Sequence, residues 1–516
     1  MNKKTLARPK HVLAWPVWSN RVLLLALAGI FFLTLYPFRF ASRELPVAHA
    51  SPFLLGGIAK HGLSLDILLN ILLFIPFGFG VTGKLRDRRW LRETTFFAAW
   101  IAGFVLSYGI EFTQQYIPTR QSRWEDVLTN STGAIAGFVL FELCGKSLTR
   151  WASTVEGALR AVFTLRRAVL VLPVYFAMWF ALTVALQKQT SLTNWDSASV
   201  LRIGNDSAES ARSAWEGSVS RLRVWNRALP NDLARSLTSG ETPPGSKSGL
   251  LASYDFRAAQ PFRDQMQFLS DLSWIPAPPL DSASNGAALD GESWLRSQAP
   301  VSNLVESLRK TNQFSIELVC TPADSTGVDS EIVSISSAPD FNDLYVAQQD
   351  SKLIFWLRNP ITAGHARLAW PIPGTFAAGQ HRDILFSYDG SNISVYIDGT
   401  KQRVAYELGP GTVLAELIHR VKPAELNGYA FIYDALIFFP AGVLIGISAV
   451  PLGWRNLSAS LLLTVEFILA SWLLDRILWH GSGRPVSLRA ILISLTLAAV
   501  GILWINADRG SASAGD

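Results

Sequence analysis

Three apolar segments between positions 65 and 137 each carry polar side chains at helical spacing. The first holds Asp66 and Asn70, the second Glu111, Gln114 and Gln115, and the third Asp126 and Asn130. Positions three or four apart share a helix face, so each segment stacks a carboxylate with an amide. A short charged connection, 117–126, joins the last two segments and contributes Arg120 and Arg123. An arginine fork donates two parallel hydrogen bonds, which suits a phosphate or a carboxylate. The acids suit an amine, a divalent cation or proton transfer. They suit equally a structural role, pairing with one another to hold helices together. The set expected to bind is Asp66, Asn70, Glu111, Gln114, Arg120, Arg123, Asp126 and Asn130.

No catalytic or metal-binding residue is assigned. The chain has no HExxH, no GxSxG, no P-loop and no clustered cysteines or histidines, so the familiar hydrolase and nucleotide signatures are absent. Its two cysteines, Cys144 and Cys320, lie in regions of different character. Neither a disulfide nor thiol chemistry is expected of them.

The elements that must position the polar set are membrane helices. Of the 516 residues, 49% are hydrophobic and only 17% charged, a balance that fits a membrane protein carrying one polar domain. Apolar spans are expected at 22–38, 63–82, 95–116, 126–145 and 168–187, and again at 429–450, 457–479 and 487–505. Each is about the 20 residues needed to cross a bilayer. The formal charge of +6 gathers beside these spans, which indicates orientation rather than nucleic-acid binding. Lys84, Arg86, Arg88, Arg89 and Arg92 fill one loop; Arg150, Arg160, Arg166 and Arg167 fill another. Both follow even-numbered spans, on the side of the basic N-terminus. Both termini are therefore expected in the cytoplasm, and the polar set at the outer edge of the membrane. Glu466, near the middle of the seventh span, is a further intramembrane acid, open to a functional or a packing role.

Residues 188–428 are polar and rich in Ser, Gly and Pro. Period-two alternation is frequent: Phe314, Ile316, Leu318 and Cys320 form one set, and Ile393, Val395 and Ile397 another. Asp389-Gly390 and Asp398-Gly399 are turn signals. The expectation is an extracytoplasmic β-sandwich of short antiparallel strands.

Two resemblances sharpen this reading. Asp66-Ile67-Leu68-Leu69-Asn70, Phe74-Ile75-Pro76-Phe77-Gly78, Ile110-Glu111-Phe112-Thr113-Gln114, Ile117-Pro118-Thr119-Arg120 and Asp126-Val127-Leu128-Thr129-Asn130 with Gly133 resemble the VanZ-like family, over about 20–146. That resemblance implies a polytopic bacterial membrane domain, a link to glycopeptide resistance, and no known reaction. Phe386-Ser387-Tyr388-Asp389-Gly390 running to Val395-Tyr396-Ile397-Asp398-Gly399 is similar to the concanavalin A-like, laminin G-type sandwich. So is the block from Gly217 through Val224-Trp225-Asn226-Arg227-Ala228-Leu229. That family places the second block near its C-terminal end. Here it precedes the usual opening, Leu250-Leu251-Ala252-Ser253-Tyr254-Asp255-Phe256, so a rearranged strand order or a truncated first sandwich is expected. Relatives bind carbohydrate, protein or calcium; no cofactor is assigned here.

The expected fold class is an α-helical polytopic membrane protein of about eight transmembrane helices with an all-β extracytoplasmic jelly-roll sandwich. The expected division is a cytoplasmic segment 1–20, a VanZ-like four-helix domain 21–146, a cytoplasmic loop and fifth helix 147–187, and a sandwich 188–428. Three helices at 429–506 and a disordered tail at 507–516 complete it. The expected function is that of a non-enzymatic protein of the bacterial cytoplasmic membrane. Its exported sandwich would recognise a glycan or envelope protein, and its bundle would engage lipid or cell-wall-precursor headgroups; no nucleic-acid partner is expected. The alternative is an integral-membrane enzyme acting at the outer leaflet on a lipid-linked or polysaccharide substrate, using Asp66, Glu111, Arg120 and Asp126.

Overall fold

Long apolar runs leave their backbone groups no partner but one another, so in a bilayer they close into helices. In the computed structural model the described residues are 14–36, 38, 65–117, 122–204, 213–279, 286–325, 329–338, 341–362, 369–402, 406–418, 426–448, 457–478 and 487–506. The chain divides into two units. One comprises Met1–Val174, Ala435–Phe467 and Ile493–Asp516; the other comprises Tyr175–Asp434 and Ile468–Leu492. The last three long helices are thus shared between the units rather than forming a block of their own.

The first unit begins with α1 (Ala14–Leu35), α2 (Leu65–Asp87), α3 (Arg92–Gln114) and α4 (Trp124–Leu140). A π-helical turn, Phe141–Gly145, leads into α5 (Lys146–Val162). The expectation of a loop there is corrected: charged and apolar residues alternate at helical spacing, so the segment folds as an amphipathic helix. Helices α2 and α4 approach through glycine. A Cβ on Gly137 would lie 2.2 Å from the Ile75 carbonyl oxygen, and one on Gly133 would lie 2.4 Å from that of Ile71. Such close backbone approach replaces the hydrophobic driving force that lipid cannot supply between helices. Phe74, Phe77, Ile110 and Ala134 fill the centre with Ala26 and Ile30 of α1.

After α6 (Leu165–Gln187) the chain enters the sandwich. One sheet contains β1 (Val200–Ile203), β2 (Ser213–Ala214), β5 (Leu272–Ile275), β7 (Trp294–Ser297), β9 (Ser330–Ala338), β10 (Phe341–Gln349), β11 (Lys352–Leu357) and β12 (Trp370–Ile372). Its main path runs β12-β11-β10-β9-β1-β7-β5. The other contains β3 (Glu216–Trp225), β4 (Leu250–Asp255), β6 (Ala287–Asp290), β8 (Phe314–Pro322), β13 (Arg382–Tyr388), β14 (Asn392–Ile397), β15 (Thr400–Lys401) and β16 (Tyr406–Glu407). Its main path runs β15-β14-β13-β8-β3-β4. The early block therefore joins the same core as the later ones: β3 lies between β8 and β4, and Val219, Leu222 and Val224 pack with Tyr254, Phe386 and Val395. A register shift between Val219 and Arg221 accounts for the odd step from Val219 to Leu222.

Short helices α7 (Asn231–Thr238), α8 (Ser302–Thr311) and α9 (Pro410–Ile418) cap the sandwich. Their apolar faces are too short to register as spans. The chain closes with α10 (Leu426–Ile447), α11 (Leu457–Leu478) and α12 (Leu488–Asn506). Among the described residues seven helices are long and apolar enough to cross a membrane. The further expected span, α11, is as long as the others and carries Glu466, Asp475 and Arg476.

Candidate functional site

Every described member of the expected polar set lies at one end of α2, α3 and α4: the start of α2, the end of α3 and the start of α4. Asn70 donates to Asp126 Oδ1 at 2.8 Å, joining α2 to α4. Glu111, only 2% exposed, accepts the backbone N–H of Arg123 at 2.9 Å. Ser122 Oγ donates to the Glu111 carbonyl at 2.6 Å. Arg123 precedes α4 in extended geometry and supplies no side-chain cap. The Glu111 carboxylate thus fixes the chain where it turns into α4, while Glu125 and Asp126 in the first turn complement the helix dipole.

The amides find separate partners. Gln114 donates to the Thr34 carbonyl of α1 at 2.9 Å, and Asn130 donates to Ser107 Oγ of α3 at 2.9 Å. Asn130 Oδ1 is buried without a hydrogen-bond partner. Asp66 falls in the first turn of α2, with its side chain outside the described residues, and Arg120 lies outside them altogether. Within the set, Asn70 bonds to Asp126 and the Glu111 carboxylate to the Arg123 backbone, while Gln114 and Asn130 bond to residues outside it.

A second polar centre, absent from the sequence reading, lies at the other end of α1. Arg21 donates to Glu156 Oε2 of α5 and to the Ile505 carbonyl of α12, both at 2.7 Å. Arg160 donates through Nε to Glu156 Oε1 at 2.7 Å and reaches the carbonyls of Gly446 and Ile505 at 3.2 Å. Two arginines so satisfy the final carbonyls of α10 and α12, where a cation also meets the negative end of the helix dipole. The available signal was an arginine immediately before the first expected apolar span.

The sandwich presents two polar faces. On the second sheet Glu317 is fully buried between Arg221 and Arg223, and Asp383 meets Arg221 at 3.1 Å. Burial and the neighbouring Glu317 push the Asp383 carboxyl up to about 7, against the pull of Arg221 and Arg223. On the face of the first sheet turned away from the sandwich core, register aligns Trp356, Tyr345, Ser334, Arg202 and Arg296 across β11, β10, β9, β1 and β7, and all but Arg296 are buried. The Tyr345 and Trp356 rings stack at 5.5 Å, and the Arg202 guanidinium stands 5.3 Å from the Trp294 ring centre. Trp356 Nε1, Trp294 Nε1, Ser334 Oγ and Ser336 Oγ are buried without a partner. An unmet buried polar group costs about 1–3 kcal/mol, so four on one face call for an explanation. Strand alternation could have placed these residues on one face; strand order, which brings them into one row, could not be read.

Among the described residues no group of three or more His, Cys, Asp or Glu side chains is arranged to hold a metal ion. Residues 17–145 match the VanZ/LLP1 family model. No curated protein and no solved structure matches the chain.

Proposed function

We propose that this chain is a multi-pass protein of the bacterial cytoplasmic membrane that presents its sandwich outward to bind a glycan. The observation that carries the reading is the row Trp356, Tyr345, Ser334 and Arg202, with Trp294 beside it. A sugar ring has an apolar face that lies on an aromatic platform, and hydroxyls that exchange hydrogen bonds with groups of mixed donor and acceptor character. The indole N–H groups of Trp294 and Trp356 and the hydroxyls of Ser334 and Ser336 supply that mixture and lack protein partners. Arg296, exposed at the end of the row, adds positive charge, which favours an acidic saccharide such as a uronate or a phosphorylated sugar. The test is titration of the full-length protein in nanodiscs with acidic and neutral oligosaccharides from envelope polysaccharides. Trp356→Ala and Ser334→Ala should each weaken binding of the preferred saccharide by about tenfold or more, equivalent to about 1.4 kcal/mol. Trp356 is buried, so its alanine variant should also lose stability, whereas Ser334→Ala should keep a melting temperature near wild type, which makes it the deciding variant. Undiminished affinity in both variants would refute the assignment.

A companion reading concerns the bundle, which we propose engages lipid or cell-wall-precursor headgroups, with glycopeptide tolerance as the cellular consequence. It is supported by the collection of Asn70, Asp126, Glu111 and Arg123 at one end of three helices. Deleting the gene and measuring teicoplanin susceptibility tests it, and complementation with Asp126→Asn assigns the effect. Unchanged susceptibility on deletion counts against it.

A further inference from the structure

Glu466 is the tenth of the 22 residues of α11. At about 1.5 Å per residue it stands roughly 13 Å from one end of the helix and roughly 18 Å from the other, within the ~30 Å of hydrocarbon that a spanning helix crosses. Its neighbours one turn away, Leu462, Leu463, Leu469 and Ala470, are all apolar. Leu463 and Ala470 are buried within the chain, whereas Leu462 is 51% and Leu469 50% exposed. Glu466 therefore sits on the flank where the packed face of α11 gives way to its outward face. Among the described residues none pairs with its carboxyl, and Oε2 is buried without a hydrogen-bond partner. An acid at this depth normally meets a partner, and hydrocarbon supplies none.

The outward flank has the spacing to supply one. Leu462, Glu466, Leu469 and Leu473 follow at intervals of four, three and four. That is the spacing of a seam along which two helices pack knobs into holes, and a single polar residue on such a seam fixes its register. An isolated charge in hydrocarbon is far costlier than a neutral, hydrogen-bonded acid. A neutral carboxyl both donates and accepts, so it is complementary to another copy of itself. Copies of one membrane protein share their orientation. A two-fold axis along the bilayer normal therefore sets α11 against α11 in parallel, each residue opposite its own counterpart at equal depth. A second copy meets the carboxyl with the matching group at the matching depth, which lipid cannot do.

We propose that α11 is the pairing surface of a homodimer, in which two Glu466 carboxyls exchange hydrogen bonds within a seam of Leu462, Leu469 and Leu473. The proposal is independent of the glycan and headgroup readings and can fail alone. The test uses purified full-length protein at low density in vesicles of phosphatidylglycerol and phosphatidylethanolamine. The background is Cys144→Ser; the remaining Cys320 is fully buried. Leu469→Cys on the seam and Val174→Cys, 69% exposed on α6, are oxidised with copper phenanthroline. Disulfide-linked dimer should form at 469 and not at 174. Adding Glu466→Ala should weaken the dimer about fivefold or more. Glu466→Gln should retain it, because an amide also donates and accepts. The Glu466→Ala monomer in dilute detergent should melt as wild type does, since the carboxyl serves no partner in its own chain. Equal cross-linking at 469 and 174 marks random collision and overturns the proposal. So does cross-linking undiminished by Glu466→Ala, and so does a lower melting temperature for that monomer. Loss of the dimer in Glu466→Gln would show that the seam needs a charge, which also overturns it.

Discussion

Glu111 illustrates how a side chain that reads as a site in sequence can be engaged in architecture. Its carboxylate receives the Arg123 backbone N–H, so Glu111→Ala leaves a donor at the start of α4 without its partner. The expected cost is about 1–3 kcal/mol, read as a lower melting temperature in detergent, with Glu111→Gln intermediate because its amide oxygen still accepts. An unchanged melting temperature for the alanine variant would show that the bond contributes nothing. The acids and amides themselves were legible from their spacing. Their partners were not, because Asn70 and Asp126 lie on different helices and Gln114 bonds to a backbone carbonyl of a third. Asp383 makes a second residue-scale case. Its carboxyl is raised above the ordinary range chiefly by burial, so the folded protein holds that proton more tightly than the unfolded chain. The stability it contributes is fully present below about pH 4 and is lost as pH rises through about 7. Asp383→Asn should flatten that part of the pH dependence of sandwich stability, as followed by hydrogen exchange in β8 and β13. An unaltered pH profile would contradict it.

Among the elements, α2 and α4 were legible as apolar runs, and their contact was written in small residues. Gly133 and Gly137 sit four apart and face the backbone of Ile71 and Ile75. Gly137→Ala places a carbon about where no side chain can give way, since the obstructing atoms are backbone. Overpacking of this kind costs about 1–3 kcal/mol. Gly157→Ala on α5 is the matched control: nothing lies within 4 Å of its Cβ position, and alanine favours helix by about 1 kcal/mol over glycine. Thermal unfolding should fall for the first variant and hold or rise for the second. Equal behaviour would mean that the approach of α2 to α4 is not tight. Helix α5 itself was missed, because its charges resemble those of an orienting loop until their spacing is set against the apolar residues between them. The strands were legible by alternation. The bulge in β3 was not, since an extra residue changes the face of everything beyond it.

At the scale of the second unit, the sandwich is built onto helix ends rather than hung from a linker. Tyr388 donates through its hydroxyl to the Thr190 carbonyl just past α6, and Thr190 Oγ1 donates to the Gly390 carbonyl at 3.0 Å. Tyr429 of α10 belongs to the sandwich core, and Ile432 packs against it. Thr183 of α6 and Tyr433 of α10 share a hydrogen bond at 2.8 Å. None of this was readable beforehand, because composition draws a boundary at 188 and 428 where the packing draws none. A core that runs into α10 predicts that sandwich and helix open together. Tyr429→Ala removes a buried aromatic ring, and comparable deletions cost about 3–5 kcal/mol. If the core is shared, that loss belongs to one cooperative unit. Hydrogen exchange should then accelerate in β13 and β14 as well as in α10. Acceleration confined to α10, with the strands as protected as before, would mean that the sandwich is stable by itself and the helix only carries it.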